Sequence, residues 1–173
     1  MSAGAQPEPE IQTQLDVRIF NEQEDFELSL ERYRQLAISV LIGEGVVGQS
    51  ELSVSFVTAE AIRVLNEQHM GHEGPTDVLA FPIDEHGKQS RRLMETPLML
   101  GDVVVCPSVA AENCSTNIGS YPGHQGSLTD EIDLLVVHGI LHVLGMDHAE
   151  SQEQQRMQER ERVYLASFTE PGL

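Results

Sequence analysis

Regular alternation of apolar and polar residues predicts two strands in the first third of the chain. Segments 15–20 and 51–57 both alternate, so each is expected to turn one face to a core and the other to solvent. Segments 77–81 and 98–105 are short and apolar, which is typical of buried strands. The pattern therefore predicts four strands.

Apolar residues at helical spacing predict helices between and after these strands. Asn21 or Asp25 is expected to cap the first helix, and Thr58 the second, since short polar side chains accept from free N–H groups at helix starts. Ser127 or Thr129 is expected to cap the helix that follows a glycine-rich loop. The predicted helices run to about residue 42, onward from 58, from 107 to about 117, from about 128 to 144, and from 151 to about 168. Strands separated by helices or loops give an α+β or α/β sandwich with one small sheet.

The helix predicted from about residue 128 is the most apolar part of the chain, and it carries two histidines. Because apolar residues surround His138 and His142, the helix is expected to be buried. The two imidazoles are four residues apart and project from the same face. Gly145 can end the helix in a left-handed conformation, which would bring His148 back towards the other two. Three converging imidazoles predict an open divalent-metal site, with zinc as the default ion and a fourth position for water.

A histidine on an apolar face can also be a core residue with a hydrogen-bond partner, and this alternative applies to each imidazole taken singly. The spacing of all three favours the metal site. It matches the metalloprotease pattern His-Glu-x-x-His-x-x-Gly-x-x-His at every ligand and at the glycine. The glutamate that acts as general base in those proteases is replaced by Gly139. The pattern therefore argues against a conventional protease.

Three blocks of sequence resemble the YbeY family of bacterial endoribonucleases. They are the histidine block 138–148, the block 74–82 (Gly-Pro-Thr-Asp-Val-Leu-Ala-Phe-Pro) and the block 100–106 (Leu-Gly-Asp-Val-Val-Val-Cys). The blocks follow the family's order, and the resemblance covers about residues 15–166. Ala80 stands where the family has serine, and Met70 stands where it commonly has an arginine that is proposed to act on RNA.

The resemblance implies both a fold and a function. The fold would be α+β, a single domain with a small, mixed, mostly parallel four-stranded sheet packed with about five helices. The function would be a metal-dependent endoribonuclease for single-stranded RNA, acting in maturation of the 16S ribosomal RNA 3′ end and in ribosome quality control. One Zn²⁺ per chain would be held by His138, His142 and His148 together with water. Ribosomal proteins of the small subunit or a ribosome-assembly GTPase would be its partners.

Two other functions fit part of the pattern. A zinc-dependent protease or amidase agrees with the ligand spacing, but Gly139 opposes it. A non-catalytic, zinc-stabilised ribosome-assembly factor would normally use four protein ligands, whereas this stretch offers three.

Charge is the main observation against an RNA-binding function. The chain of 173 residues has a net charge of −18 and a single lysine, whereas proteins that grip RNA normally present a basic patch. Arg91 and Arg92 lie in a polar loop, where solvated side chains are the favoured interpretation and phosphate binding is the alternative. We therefore expect weak, salt-sensitive RNA binding that is assisted by partners.

Composition sets the remaining expectations for organisation and location. Residues 1–13 are expected to be a disordered acidic tail, and 14–173 the metal-dependent hydrolase domain. No apolar run approaches the ~20 residues that cross a bilayer, and the N-terminus does not have the pattern of a secretory signal. Two cysteines make no disulfide framework. These features favour a cytoplasmic protein without a membrane partner.

Several polar side chains near the motifs receive individual predictions. Asp77 is expected to bind substrate, to orient a ligand or to hold a turn. Asp133 and Asp147 are candidates to hold the second nitrogens of the imidazoles. The charged residues of the last helix are expected to form a solvated face. Solvation is the favoured interpretation for His69, His72 and His124, with a ligand or RNA-contact role as the alternative for the first two; Met157, Val163, Tyr164 and Phe168 are expected to face the body of the protein.

Overall fold

The computed structural model describes residues 12–84 and 96–168. The predicted N-terminal tail therefore lies almost wholly outside the described residues, as do Arg91 and Arg92. Within these ranges, no helix combines the length and apolar character needed to cross a bilayer.

The four predicted strands form one mixed sheet. They are β1 (Gln14–Asn21), β2 (Gln49–Phe56), β3 (Val78–Pro82) and β4 (Leu98–Val105). Their order in the sheet is β1-β2-β4-β3, with β1, β2 and β4 parallel and β3 antiparallel to β4. The mostly parallel mixed sheet is therefore confirmed.

The α-helices of the described residues number five, as predicted. They are α1 (Leu30–Gly43), α2 (Ala59–Leu65), α3 (Pro107–Asn113), α4 (Leu128–Val143) and α5 (Ser151–Phe168). Thr58 caps α2 by accepting a hydrogen bond from the Ala61 N–H at 3.2 Å. A π-helical turn, Asn66–Met70, follows α2 directly.

The first helix begins later than the capping pattern predicts. Its N-cap is Ser29, not Asn21 or Asp25. The Gln23 side chain explains the delay: it donates to the Phe26 carbonyl at 2.8 Å and accepts from the Phe26 N–H at 2.9 Å. These bonds satisfy the backbone in a turn, so the chain does not need helical bonds there.

Helix α4 is the centre of the core. Ser127 caps it in a reciprocal box with Asp130, which decides between the two predicted caps. Its apolar side chains pack against the sheet, and α1, α3 and α5 contact its other sides. Ile132, Val136 and Ile140 are fully buried, and each such side chain stabilises the fold by about 1.5–3 kcal/mol.

A buried ion pair ties α4 to α1. The Asp133 carboxylate is fully buried, and Arg32 donates to it from Nε at 3.0 Å and from the terminal nitrogen at 2.5 Å. Burial raises the pKa of Asp133, and the Arg32 guanidinium opposes that rise. The prediction that Asp133 holds an imidazole is therefore wrong, because this carboxylate pairs with Arg32 of α1.

We expect Arg32→Met to lower the free energy of unfolding by about 3 kcal/mol, because it leaves a buried carboxylate without its cation. Denaturant titration measures this loss. The control is Arg18→Met, which breaks an exposed pair with Asp16 and should cost less than about 1 kcal/mol. Equal losses in the two variants would contradict the role given to the buried pair.

Candidate metal centre

The C-terminal end of α4 brings three imidazoles together. His138 and His142 lie one turn apart, and their Nε2 atoms are 3.1 Å from each other. Gly145, at φ +98°, ends the helix. The Gly145 N–H donates to the His142 carbonyl and the Met146 N–H to the Leu141 carbonyl, which is the Schellman arrangement. This turn carries His148 back, so that ligand-capable atoms of all three histidines lie within 4.8 Å of one another.

The donor set fits a divalent metal ion. Two nitrogens at ~2.0–2.1 Å from a tetrahedral zinc are about 3.3 Å apart, close to the 3.1 Å between His138 and His142. Burial, together with the neighbouring His138 and His148, lowers the pKa of His142 to about 4. Its imidazole is therefore neutral at neutral pH and has a lone pair to offer. Borderline metals such as zinc, copper, nickel and iron suit imidazole donors.

The second nitrogen of His138 faces a carboxylate that the sequence analysis missed. His138 Nδ1 lies 2.5 Å from Glu161 Oε1 on α5. Glu161 is only 8% exposed, so the prediction of a solvated charged face is wrong at this position. The missed signal is spacing: Met157, Glu161 and Leu165 recur every four residues, and all three are buried.

Two other predictions near the centre need correction. Asp147 accepts from the His148 backbone N–H at 2.7 Å, so the described hydrogen bonds place its carboxylate in the turn and not on an imidazole. On α5, Tyr164 is buried as predicted, but Val163 is 57% exposed. Helix α5 thus faces the body through a narrower stripe than its apolar residues suggest.

A cleft of about 280 Å³ opens beside the histidines. Its lining combines the three imidazoles and Gly139 with an apolar wall. That wall consists of Met70 from the π turn and of Val78, Leu79, Ala80 and Pro82 from β3. The lining includes no lysine or arginine from the described residues. Two of the sequence blocks, 74–82 and 138–148, therefore meet at one surface.

Asp77 is not among the described residues that line this cleft. Its backbone carbonyl accepts from the Cys106 N–H at 2.8 Å, and its side chain lies 3.4 Å from the Thr76 hydroxyl. These contacts agree with the turn role among the predicted alternatives.

Packing explains why glycine occupies position 139. A Cβ there would lie 2.5 Å from Val103 Cγ1 and 3.4 Å from Val78 Cγ2. Val103 is fully buried on β4, so it has little room to move. The position that holds the catalytic glutamate in the metalloprotease pattern is therefore used here for close contact between helix and sheet.

The remaining described histidines lie apart from the cluster. Within residues 12–84 and 96–168, the cluster is the one group of three or more histidine, cysteine or acidic side chains at metal-binding separation. His69 packs on the Phe81 ring at 5.4 Å, and His72 is exposed. His124 is only 3% exposed and bonds Glu131 at 2.7 Å, so its predicted solvation is wrong. The loop that carries His124 folds over α4, and this contact buries the His124 side chain.

Comparisons with known proteins agree on one family. The family model described as Endoribonuclease YbeY matches residues 18–169. Endoribonuclease YbeY of Salinispora tropica is 45% identical over 129 residues, which are 72% of this chain and 78% of the relative. The Beutenbergia cavernae enzyme of that name is 44% identical over 136 residues, 79% of this chain and 86% of the relative. The solution structure of TM1509 from Thermotoga maritima superposes with a TM-score of 0.57 at 27% identity, covering 91% of this chain and 99% of that one.

We expect Gly139→Ala to lower the free energy of unfolding by about 1 kcal/mol, within a range of about 0–2 kcal/mol. The overpacking of about 1–3 kcal/mol exceeds the gain of about 1 kcal/mol in helix propensity. In a Val103→Ala background the clash disappears, so the same substitution should be neutral or stabilising. Denaturation of the four proteins of this double-mutant cycle measures the coupling. An identical cost in both backgrounds would show that Val103 does not impose the glycine.

Proposed function

The chain belongs to the YbeY family of endoribonucleases, and we propose that it cleaves single-stranded ribosomal RNA at the cleft beside His138, His142 and His148. The endoribonuclease activity predicted from the sequence is confirmed by the family model and the curated relatives. The observation that carries the choice of site is the meeting of two family blocks at one cleft, whose lining includes both the imidazoles and β3.

We propose that the three imidazoles hold one zinc ion. A divalent ion there would lower the pKa of a coordinated water and draw charge from the phosphate that is cleaved. The protein's own contribution is to present neutral nitrogens at fixed separations. Burial and the neighbouring imidazoles keep His142 neutral. The hydrogen bond to Glu161 keeps the His138 ring in place. Three protein ligands beside an open cleft support a catalytic ion over a closed structural one.

The shape and polarity of the cleft support an unpaired RNA strand as substrate. Met70 and the β3 side chains give an apolar surface against which a base can lie once it has left its stack. Bases inside a duplex are stacked on their neighbours and do not offer such a face. We propose that the strand passes between this wall and the imidazoles, with a phosphate towards the histidines.

Charge supports a partner that delivers the RNA. Arg18, Arg32, Arg63 and Arg160 are all paired with carboxylates, and the net charge is −18. Free RNA is therefore expected to bind weakly and to dissociate further as salt rises. We propose that small-subunit ribosomal proteins or an assembly GTPase provide the additional RNA-binding affinity. The protein would act in the cytoplasm, in maturation of the 16S 3′ end and in ribosome quality control.

We expect zinc-reloaded protein to cleave a labelled single-stranded RNA from the 16S 3′ end, and chelator-stripped protein to leave it intact. His142→Ala should reduce cleavage by at least about 100-fold. Loss of a residue that merely hydrogen-bonds a metal ligand usually lowers activity by about 10- to 100-fold, and loss of the ligand itself should lower it more. His69→Ala is the matched control and should retain activity, since His69 packs on Phe81. Parallel reloading with manganese or magnesium tests which ion supports cleavage.

Cleavage that survives both chelation and His142→Ala would contradict the proposed centre. Failure of the wild-type protein to cleave the RNA, both alone and on small ribosomal subunits, would contradict the proposed substrate.

We expect Met70→Arg to strengthen RNA binding a few-fold. Met70 lines the cleft and occupies the position at which the family commonly has arginine. One added phosphate contact should make the slope of log K against log salt steeper by about 0.7. Ile118→Arg, at a position 60% exposed and outside the cleft, adds the same charge elsewhere. Equal salt slopes in the two variants would show that the cleft does not receive phosphate near Met70.

A further inference from the structure

We propose that Glu161 is a positioning residue for the metal centre, and that it fixes the tautomer and orientation of His138. This inference rests on the proposed function for its chemical purpose, but its evidence is the geometry of α4 and α5. Among the described side chains, His138 is the hydrogen-bond partner of the Glu161 carboxylate, at 2.5 Å. Glu161 is a buried acid on a helix whose other face is exposed, so its cost of burial calls for such a partner.

The direction of this bond decides which nitrogen of His138 is free. A neutral imidazole has one N–H group, and a carboxylate accepts it. Glu161 therefore holds the proton on Nδ1, and the lone pair of Nε2 points to the cluster, where His142 Nε2 lies 3.1 Å away. Without Glu161, the imidazole could rotate or take the other tautomer.

A second set of contacts fixes the height of α5 against the core. Arg160 donates to Glu44 Oε1 at 2.8 Å, and the Tyr164 hydroxyl donates to the same oxygen at 2.6 Å. Glu44 follows the last residue of α1, and Gly43 leaves space for the Tyr164 ring, which a Cβ would meet at 2.4 Å. The two residues that contact α1 flank Glu161 along α5. Helix α5 is therefore anchored at Glu44, independently of the metal centre, and this anchor places the Glu161 carboxylate beside His138.

The first test is zinc affinity, measured by competition with a chromophoric chelator. Glu161→Ala should weaken zinc binding about 10- to 100-fold, as removal of the group behind a ligand generally does. Glu161→Gln should lie between this variant and wild type, because its amide oxygen still accepts from Nδ1 but carries no charge. Glu159→Ala removes a carboxylate from an exposed position on the same helix and should leave the affinity unchanged.

The second test reads the tautomer directly by ¹⁵N NMR of metal-free protein at pH 8. Wild-type His138 should carry its proton on Nδ1, and Glu161→Ala should lose that preference. Tyr164→Phe removes the bond to Glu44 without touching the carboxylate and should keep the Nδ1 proton. Circular dichroism establishes that each variant is folded. If Glu161→Ala does not fold, the zinc affinity of Glu161→Gln decides the first test, and Glu161→Leu, which fills the same space without an acceptor, decides the second.

Zinc affinity within two-fold of wild type in Glu161→Ala, or an equal loss in Glu159→Ala, would overturn the inference. An unchanged Nδ1 proton would do the same. These readouts do not involve RNA, so the two proposals can fail separately. Weaker zinc binding in Glu161→Ala, with no cleavage by any form of the protein, would support the positioning role and reject the proposed activity. Metal-dependent cleavage by wild type, with unchanged zinc affinity in Glu161→Ala, would reject only the positioning role.

Discussion

The close approach of α4 to the sheet is the constraint on which the rest of the molecule depends. The helix reaches β4 only because position 139 has no side chain, and Val103 fills that space. A helix packed this tightly on most sides leaves polar groups open to a cleft only near its end. The imidazoles lie there, and β3, which runs antiparallel to β4, supplies the apolar wall of the cleft. The packing contact and the chemistry therefore share one turn of helix.

Buried acids attach α4 and its neighbours to one another. Asp133 pairs with Arg32 of α1, and Glu131 accepts from Asn117 at 2.7 Å and bonds His124 in the loop after α3. Glu161 on α5 bonds His138. Each carboxylate has its partner on another element, so a slip of any one element would leave a charge buried without compensation. Removing one partner of such a pair is therefore costly, whereas the intact pair itself adds little to stability.

Local pattern predicted most of the fold because the features involved are local. Alternation identified β1 and β2, and short apolar runs identified β3 and β4. The i, i+4 histidines with the following glycine indicated the cluster. The partners of those residues are not local. Glu161 is 23 residues from His138 in sequence, and its four-residue spacing to Met157 and Leu165 was the one available clue. Glu131 and His124 meet only because a loop folds back over α4, which no periodicity reveals.

The compactness of the histidine block in sequence has a consequence for linkage between metal binding and folding. All three imidazoles come from eleven consecutive positions, 138 to 148, so a disordered chain keeps them within one short loop and would retain some affinity for the proposed ion. An ion stabilises a fold only by the difference between its affinities for the ordered and the disordered chain. The proposed zinc ion would therefore raise the melting temperature by less than its affinity for the native protein implies. The rise in melting temperature that is still observed would measure the part of the affinity that only the folded chain provides. That part comes from the helical spacing of His138 and His142 and from the carboxylate of Glu161.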